Sequence, residues 1–328
     1  MTAPDPVEGL PLGARVVVRS RLADPAGGPS LTDAVGTLVS VDAGALVVDT
    51  RQGPVTIERS RVVAAKVVPP RPSRRGAPHL ALSVEDLQRV MLEGWSPVER
   101  AGLGDWVLRA AGGFTGRANS VLPLGDPGLP LPEAVAQAEG WYAARGLPPR
   151  FLVAGPVGFA VAEDRLGALL LERGYRETNR SVVMTAAAQA VADASAGTGD
   201  VEVTEELSPR WLDAYARQRE VVPGATEAVL TGSPGQLFAS ASAGGQVVAV
   251  ARLGLVAGGW AGLYGVWVDP EHRGRGLARA LTGALAAQAA ARGTRSVYLQ
   301  TLHANEPATR LYASLGFAPH HSYSYLDR

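Results

Sequence analysis

Between Tyr264 and Ala278 the chain reads Y-G-V-W-V-D-P-E-H-R-G-R-G-L-A. An apolar strand runs to Val268, turns at Asp269-Pro270, and enters an arginine- and glycine-rich loop that opens a helix. This junction constrains the fold more than any other stretch, because it demands a sheet strand feeding directly into a helix. It also aims free backbone N–H groups and the positive end of a helix dipole at one point. That point suits a phosphate.

Three nucleotide motifs compete for the loop. A P-loop requires Gly-x4-Gly-Lys-Ser/Thr, and the only lysine of the chain, Lys66, is far from any glycine-rich turn. A dinucleotide fingerprint, G-x-G-x-x-G, is met by Gly274 and Gly276 but has Arg279 in its third place. The strand that follows, Val297 to Gln300, also lacks a terminal acidic residue to hold a ribose. The third pattern, R-x-x-G-x-A, is satisfied by Arg273, Gly276 and Ala278. Downstream comes N-E-P-A-T-R-L-Y-A-S-L-G-F, Asn305 to Phe317. Asn305 and Pro307 read as a helix start, and Gly316 as the left-handed residue that ends the helix.

The two motifs, in this order and separated by one helix and one strand, resemble the signatures of the GNAT superfamily of N-acetyltransferases. The resemblance covers about the last 125 residues closely and the middle of the chain more loosely. It implies a GNAT fold, an α+β or α/β arrangement in which helices flank a mixed, mostly antiparallel sheet. It also implies acetyl-CoA as co-substrate and a primary amine, of a small molecule or a protein, as acceptor.

The composition fits an intracellular enzyme. The chain has 328 residues, enough for two or three domains. Its net charge of +0 makes no general electrostatic case for nucleic acid or an anionic membrane. It has no cysteine, which removes disulfides, thiolate nucleophiles and Cys-based metal sites together. The five histidines are scattered without zinc-ligand spacing, so no metal is expected. The N-terminus, M-T-A-P-D-P-V-E, has no signal-peptide pattern, and no apolar run is long enough to span a bilayer. A cytoplasmic location is expected.

Three segments and two linkers are expected. Residues 1–67 contain short β-branched runs, Ala14–Arg19, Gly36–Val41, Ala45–Asp49 and Gly53–Ile57, separated by turns at 42–44 and 51–53. They predict a small SH3-like β-barrel, read as a docking or assembly module because it carries no basic stripe and no aromatic residue. Residues 68–79 form a Pro/Arg-rich linker. In the middle segment, 80–185, Ser83 caps a helix over Val84–Met91, with strands over Asp105–Ala110 and Arg117–Leu122 and a helix over Pro132–Ala144. Residues 186–199 read as a second linker, a short helix followed by a tether. The last segment, 200–328, holds both motifs.

The middle and last segments end alike, L-L-L-E-R-G-Y-R-E-T-N-R-S-V-V-M at Leu169–Met184 and R-L-Y-A-S-L-G-F-A-P-H-H-S-Y-S-Y at Arg310–Tyr325. Both read helix, glycine, aromatic, turn, strand, which suggests a tandem GNAT. The middle copy has no R-x-x-G-x-A, and Leu170 stands where the last copy has Tyr312. It is expected to have lost cofactor binding and to shape the substrate side or a homodimer interface.

The resemblance assigns roles residue by residue. Backbone groups of Val266 and Val268 would hydrogen-bond the pantetheine arm. N–H groups of Arg273, Gly274, Arg275, Gly276, Leu277 and Ala278 would wrap the pyrophosphate, the glycines admitting close backbone approach. Asn305 would contact the cofactor as well as cap its helix. Tyr312 would act as general acid toward the leaving thiolate. Arg279 is expected on a solvated helix face, with phosphate neutralisation as the alternative. No general base is evident; Tyr264, through water, Glu220 and Glu227 are the candidates. Acceptor-side walls are expected around 217–226 and 320–325, with Arg117 and Asn119 as test positions against the simpler reading of a structured turn. The alternative function is a non-catalytic acyl-CoA-binding protein that keeps the fold.

Overall fold

The computed structural model describes residues 6, 7, 10, 14–22, 30–50, 53–67, 78–195 and 199–328. Ten residues of the expected first linker, 68–77, lie outside this set, as do most of the N-terminal octapeptide and positions 51 and 52 of one expected turn. The chain divides into two compact units, residues 1–72 and 73–328.

The first unit is all-β. Strands β1 (Arg15–Arg21), β2 (Leu31–Val41), β3 (Ala45–Thr50), β4 (Gly53–Glu58) and β5 (Val62–Val67) form an antiparallel sheet in the order β4-β3-β2-β1-β5. Alternation puts Val16, Val18, Leu38, Leu46, Val48 and Ile57 into one small core. Gly36 is required on β2 because a Cβ there would lie 2.0 Å from the Asp49 carbonyl oxygen. β5 escapes the β-branched pattern of the others because two alanines and Lys66 interrupt it.

The second unit begins with helix α1 (Val84–Gly94), whose cap is the expected one: the Asp86 N–H donates to Ser83 Oγ at 3.0 Å. Then follow β6 (Glu99–Leu103), β7 (Trp106–Ala110), β8 (Val121–Leu122), α2 (Leu131–Ala143), β9 (Arg150–Gly155), α3 (Arg165–Glu172), β10 (Arg176–Ala187) and α4 (Ala188–Asp193). The last part comprises β11 (Glu202–Thr204), α5 (Pro209–Ala216), α6 (Ala225–Thr231), β12 (Gly235–Ala243), β13 (Gln246–Val256), β14 (Trp260–Val268), α7 (Leu277–Ala291), β15 (Ser296–Leu302), α8 (Glu306–Ser314) and β16 (Ala318–Asp327). Two expectations shorten. The strand drawn over Arg117–Leu122 is only Val121–Leu122, because 116–119 form a turn, and α5, which the sequence pattern extends over Pro209–Glu220, stops at Ala216. No helix of the described residues is long and apolar enough to cross a membrane.

All eleven strands of this unit join one sheet, in the order β11-β12-β13-β14-β15-β10-β16-β9-β8-β7-β6. The series β8-α2-β9-α3-β10 and β14-α7-β15-α8-β16 repeat each other, each with a parallel first pair. Their final strands are exchanged. β10 pairs with β15 of the later series (Val183↔Gln300), and β16 pairs with β9 of the earlier one (Tyr325↔Leu152). Separating the halves would expose unpaired strand edges in both. The range read as a second linker therefore starts inside β10 and continues as α4, which packs on α7. Gly283 of α7 admits that contact, since a Cβ there would meet the Ser195 Cβ at 2.1 Å.

The two sheet faces carry separate cores. On one side Phe238 and Val250 meet Leu87 and Met91 of α1 and Trp211 and Tyr215 of α5. On the other, Leu237, Ala239, Ala249 and Ala251 meet Leu281, Leu285 and Ala289 of α7. The small residues let α7 lie close and hold its N-terminus rigid.

Candidate active site

The parallel ladder between β14 and β15 begins at Trp260↔Ser296 and stops at Leu263↔Leu299. The strands separate there because β14 bends. Gly265 has φ +60°, and the register against β13 shifts between Val250 and Arg252. A glycine bulge of this kind turns a strand sharply, and a Cβ at 265 would also press on the Tyr215 ring at 3.1 Å. Beyond Leu263, the edge of β14 that carried β15 is free. Half-buried Val266 and Val268 lie on this stretch.

A 3₁₀ turn over Pro270–His272, capped by Asp269 Oδ1 accepting from the Glu271 N–H at 3.0 Å, leads to the loop. Gly274 has φ +75° and Gly276 φ +79°. Both are left-handed, where other residues are strained, and a Cβ at either would meet nothing within 4 Å. Gly276 is the N-cap of the fifteen-residue α7, and no side chain caps that end, so the first helical N–H groups stay available to an anion. Arg273 Nε donates to the Val268 carbonyl at 3.3 Å, and Arg275 Nη2 to the Glu271 carbonyl at 3.2 Å, which brace the loop from within. Arg279 is partly exposed on α7, and both of its contacts lie where solvent reaches them. It donates to the Ala194 carbonyl at 3.2 Å and to Ser314 Oγ, pinning α7 to the turn after α4 and to the end of α8.

Asn305 caps α8, its Oδ1 accepting from the Ala308 N–H at 3.2 Å. One face of α8 puts Tyr312 edge-on to Phe317, ring centroids 5.7 Å apart. Burial pushes the Tyr312 phenol well above its ordinary pKa, so the group is a protonated donor at neutral pH.

Val266, Asn305 and Tyr312 line a single cleft of about 460 Å³ at the point where β14 and β15 part. Its opposite wall is Thr115, Arg117, Gln218, Tyr323 and Tyr325. Val268 and residues 273–278 do not line it; Val268 is the last residue of β14, and 273–278 follow after the Pro270–His272 turn. Among the described residues no aspartate, glutamate or histidine lines the cleft. Glu220 is exposed, and Glu227, although one of its carboxylate oxygens is buried and unpartnered, is not on the wall either. Tyr264 is on it, with its hydroxyl 2.7 Å from that of Tyr298 and its pKa raised by burial.

Residues 83–326 match the family model described as "Probable histone acetyltransferase Rv0428c C-terminal", and residues 10–66 match "Rv0428c N-terminal Sm-like domain". The chain belongs to the GNAT superfamily of acetyltransferases. It is an N-acetyltransferase that takes the acetyl group from acetyl-CoA and delivers it to an amine. One similar protein is the "Probable histone acetyltransferase Rv0428c" of Mycobacterium tuberculosis, 33% identical over 326 residues, covering 96% of this chain and 95% of the relative. A GCN5-related N-acetyltransferase structure from Kribbella flavida superposes with a TM-score of 0.54 at 18% identity, covering 75% of this chain and 96% of that one. A tandem GNAT protein from the clavulanic acid biosynthesis pathway superposes with a TM-score of 0.50 at 16% identity, covering 78% and 90%. Its tandem architecture agrees with the repeated series in this sheet.

In this acetyltransferase the two test positions of the 112–120 loop part company. Asn119 is a structural clamp: Oδ1 accepts from the N–H groups of Ala111 and Gly113 at 2.8 and 2.9 Å, and Nδ2 donates to the carbonyls of Phe114 and Thr115 at 2.7 and 2.9 Å. Arg117 instead lines the cleft. Asn119→Ala would leave four buried or half-buried backbone groups without partners, at a cost of about 2 to 4 kcal/mol. Urea unfolding should show a lower midpoint at unchanged slope. Gln218 falls within the expected acceptor-side wall 217–226 and Thr115 in the loop of the two test positions, though neither is singled out there, and nothing in sequence marks Gln300 as a wall residue. Tyr323 and Tyr325 carried a signal, the Y-S-Y alternation that puts both on one face of the last strand.

Proposed function

We propose that this protein acetylates the amine of its acceptor by direct attack on the acetyl-CoA thioester in the cleft between β14 and β15. The observation that carries the reading is the position of Tyr312, a protonated phenol that lines the same cleft as Val266 of the free β14 edge. In this reading the backbone of Val266 and Val268 receives the pantetheine arm as an added strand. The N–H groups of residues 273–278, with glycines where a Cβ would crowd the phosphates, hold the pyrophosphate. A backbone N–H of the β14 edge polarises the thioester carbonyl as negative charge develops on it. Tyr312 donates the proton that the departing sulfur needs. Asn305 orders the start of α8 and with it the height of Tyr312. Without a carboxylate or histidine on the wall, the acceptor reacts as its neutral amine, and the ammonium formed on attack loses its proton to solvent in the cleft, with the Tyr264 hydroxyl as the relay.

We read the N-terminal sheet as an SH3-like module for docking or assembly; its strand order, β4-β3-β2-β1-β5, supports that reading. The middle series, 80–185, we read as a GNAT copy without cofactor, since the loop between Pro123 and Pro130 has no R-x-x-G-x-A.

Titration calorimetry with acetyl-CoA, followed by a thiol-release assay over an amine panel, tests the proposal. Micromolar binding with acetyl transfer is the expected result. Binding with no transfer to any amine would favour the non-catalytic reading, and no binding would remove both.

A further inference from the structure

Three arginines of the second unit are at most 4% exposed: Arg109, Arg117 and Arg252. Arg252 donates to the carbonyls of Leu230 and Gly94 and to Ser233 Oγ. Arg109 donates to the carbonyl and hydroxyl of Ser120. Arg117 is different, because none of its three guanidinium nitrogens has a hydrogen-bond partner. The guanidinium carbon lies 5.4 Å from the Tyr323 ring centroid, a cation–π contact; that side chain favours the charge without meeting hydrogen-bond geometry. Tyr325, Tyr264, Tyr298 and His321 also interact with its charge, and Arg109 repels it.

Among the described residues no acid is paired with Arg117. The lining of the cleft holds Arg117, Arg150 and Arg219 and no carboxylate, and Arg150 is already engaged by Asp327. A guanidinium does not discharge on burial, so an unpaired one costs stability outright. The fold nevertheless holds it there firmly. Asn119 clamps the loop, and Trp95 Nε1 donates to Thr115 Oγ1 at 3.0 Å. Thr115, β-branched, is kept at φ +56°; it and Asn179 are the two non-glycine residues with positive φ among those described, and both line this cleft. A second donor waits in the same place, since Gln218 Nε2 is buried without an acceptor.

We infer that the acceptor is a small amine carrying an anionic oxygen group, a carboxylate or a phosphate, which Arg117 receives in its planar fork with Gln218 Nε2 alongside. This specificity rests on the acetyltransferase reading of the same cleft. The anion is the pairing that the buried cation lacks, and holding it at the Tyr323–Tyr325 wall leaves the amine free to reach the thioester. A lysine-rich histone tail would meet like charge in a cleft that contains three arginines and no carboxylate.

The test compares matched acceptors: 4-aminobutyrate against n-butylamine, O-phosphoethanolamine against ethanolamine, and a lysine-rich peptide. Each is assayed with wild-type enzyme, Arg117→Gln and Arg117→Lys. In the wild type one anionic member should exceed its neutral counterpart by about 100-fold or more in kcat/KM, and the favoured pair tells carboxylate from phosphate. Arg117→Gln should erase that preference, mainly through KM, lowering kcat/KM for the anionic acceptors far more than for the neutral amines; Arg117→Lys should restore part of it. The ligand-free Arg117→Met variant should melt higher by about 2 to 4 °C, as removal of an unpaired buried charge requires. A preference for the neutral amine or the peptide would overturn the inference, as would an equal loss by Arg117→Gln on every acceptor or a lower melting point. If the wild type binds no acetyl-CoA and acetylates nothing, the acetyltransferase reading itself has failed, an outcome distinct from these.

Discussion

Tyr312→Phe is expected to lower kcat by about 100- to 10 000-fold while the Kd for acetyl-CoA stays within about twofold, the range for loss of a positioned general acid. The phenol makes no hydrogen bond to another described residue, so its removal leaves no protein group orphaned. The edge-on contact with Phe317 survives in phenylalanine. The variant should therefore fold and melt like the wild type, which separates chemistry from structure. The direction of the pKa shift adds a second readout. Burial raises the phenol pKa, so the protonated, donating form persists above the ordinary tyrosine range near pH 10. No alkaline fall in kcat from Tyr312 should appear below that range. Pre-steady-state thiol release with and without the hydroxyl measures this directly. Unchanged turnover in Tyr312→Phe would mean that the proton comes from elsewhere on the wall.

Gly276→Glu is expected to weaken acetyl-CoA binding by about 100-fold or more, combining backbone strain with charge repulsion. The residue sits at φ +79° as the N-cap of α7, and a Cβ added there meets no protein atom. The protein has room for the side chain; a pyrophosphate held on the helix N–H groups would not. Gly276→Ala carries the left-handed strain of about 1 to 2 kcal/mol without the charge, so it should lower the melting temperature as Gly276→Glu does while losing much less affinity. Calorimetry on both variants separates the two contributions. Equal affinity in wild type and Gly276→Glu would place the phosphates away from this loop.

The cofactor side of the site was legible in sequence because it is local. One strand, one loop and one helix start lie within residues 264–278, and Asn305 and Tyr312 are seven positions apart on one helix. The bend that opens the cleft also had a mark, Gly265 inside an apolar strand. The acceptor side was legible only as ranges. Arg117 was noticed as an odd residue in a polar, glycine-bent loop, yet the same loop holds Asn119, whose work is structural. Nothing in the sequence separates the two, since each is a single polar residue between apolar strands.

By itself the sequence determined the strand–loop–helix junction, the second helix with its cap and its tyrosine, the small all-β unit ahead of them and the echo between the two halves. Each of these depends on contacts between near neighbours: periodicity, caps and glycine turns. Only the tertiary structure decided that β10 and β16 change places, because strand pairing joins residues more than a hundred positions apart and leaves no local pattern. That exchange makes one sheet of both halves and carries Tyr323 and Tyr325 to the wall shared with Arg117. Arg117 itself became informative only there, once burial and the absence of any carboxylate were known, since the cost of an unpaired charge depends on its surroundings and not on the residues beside it in the chain.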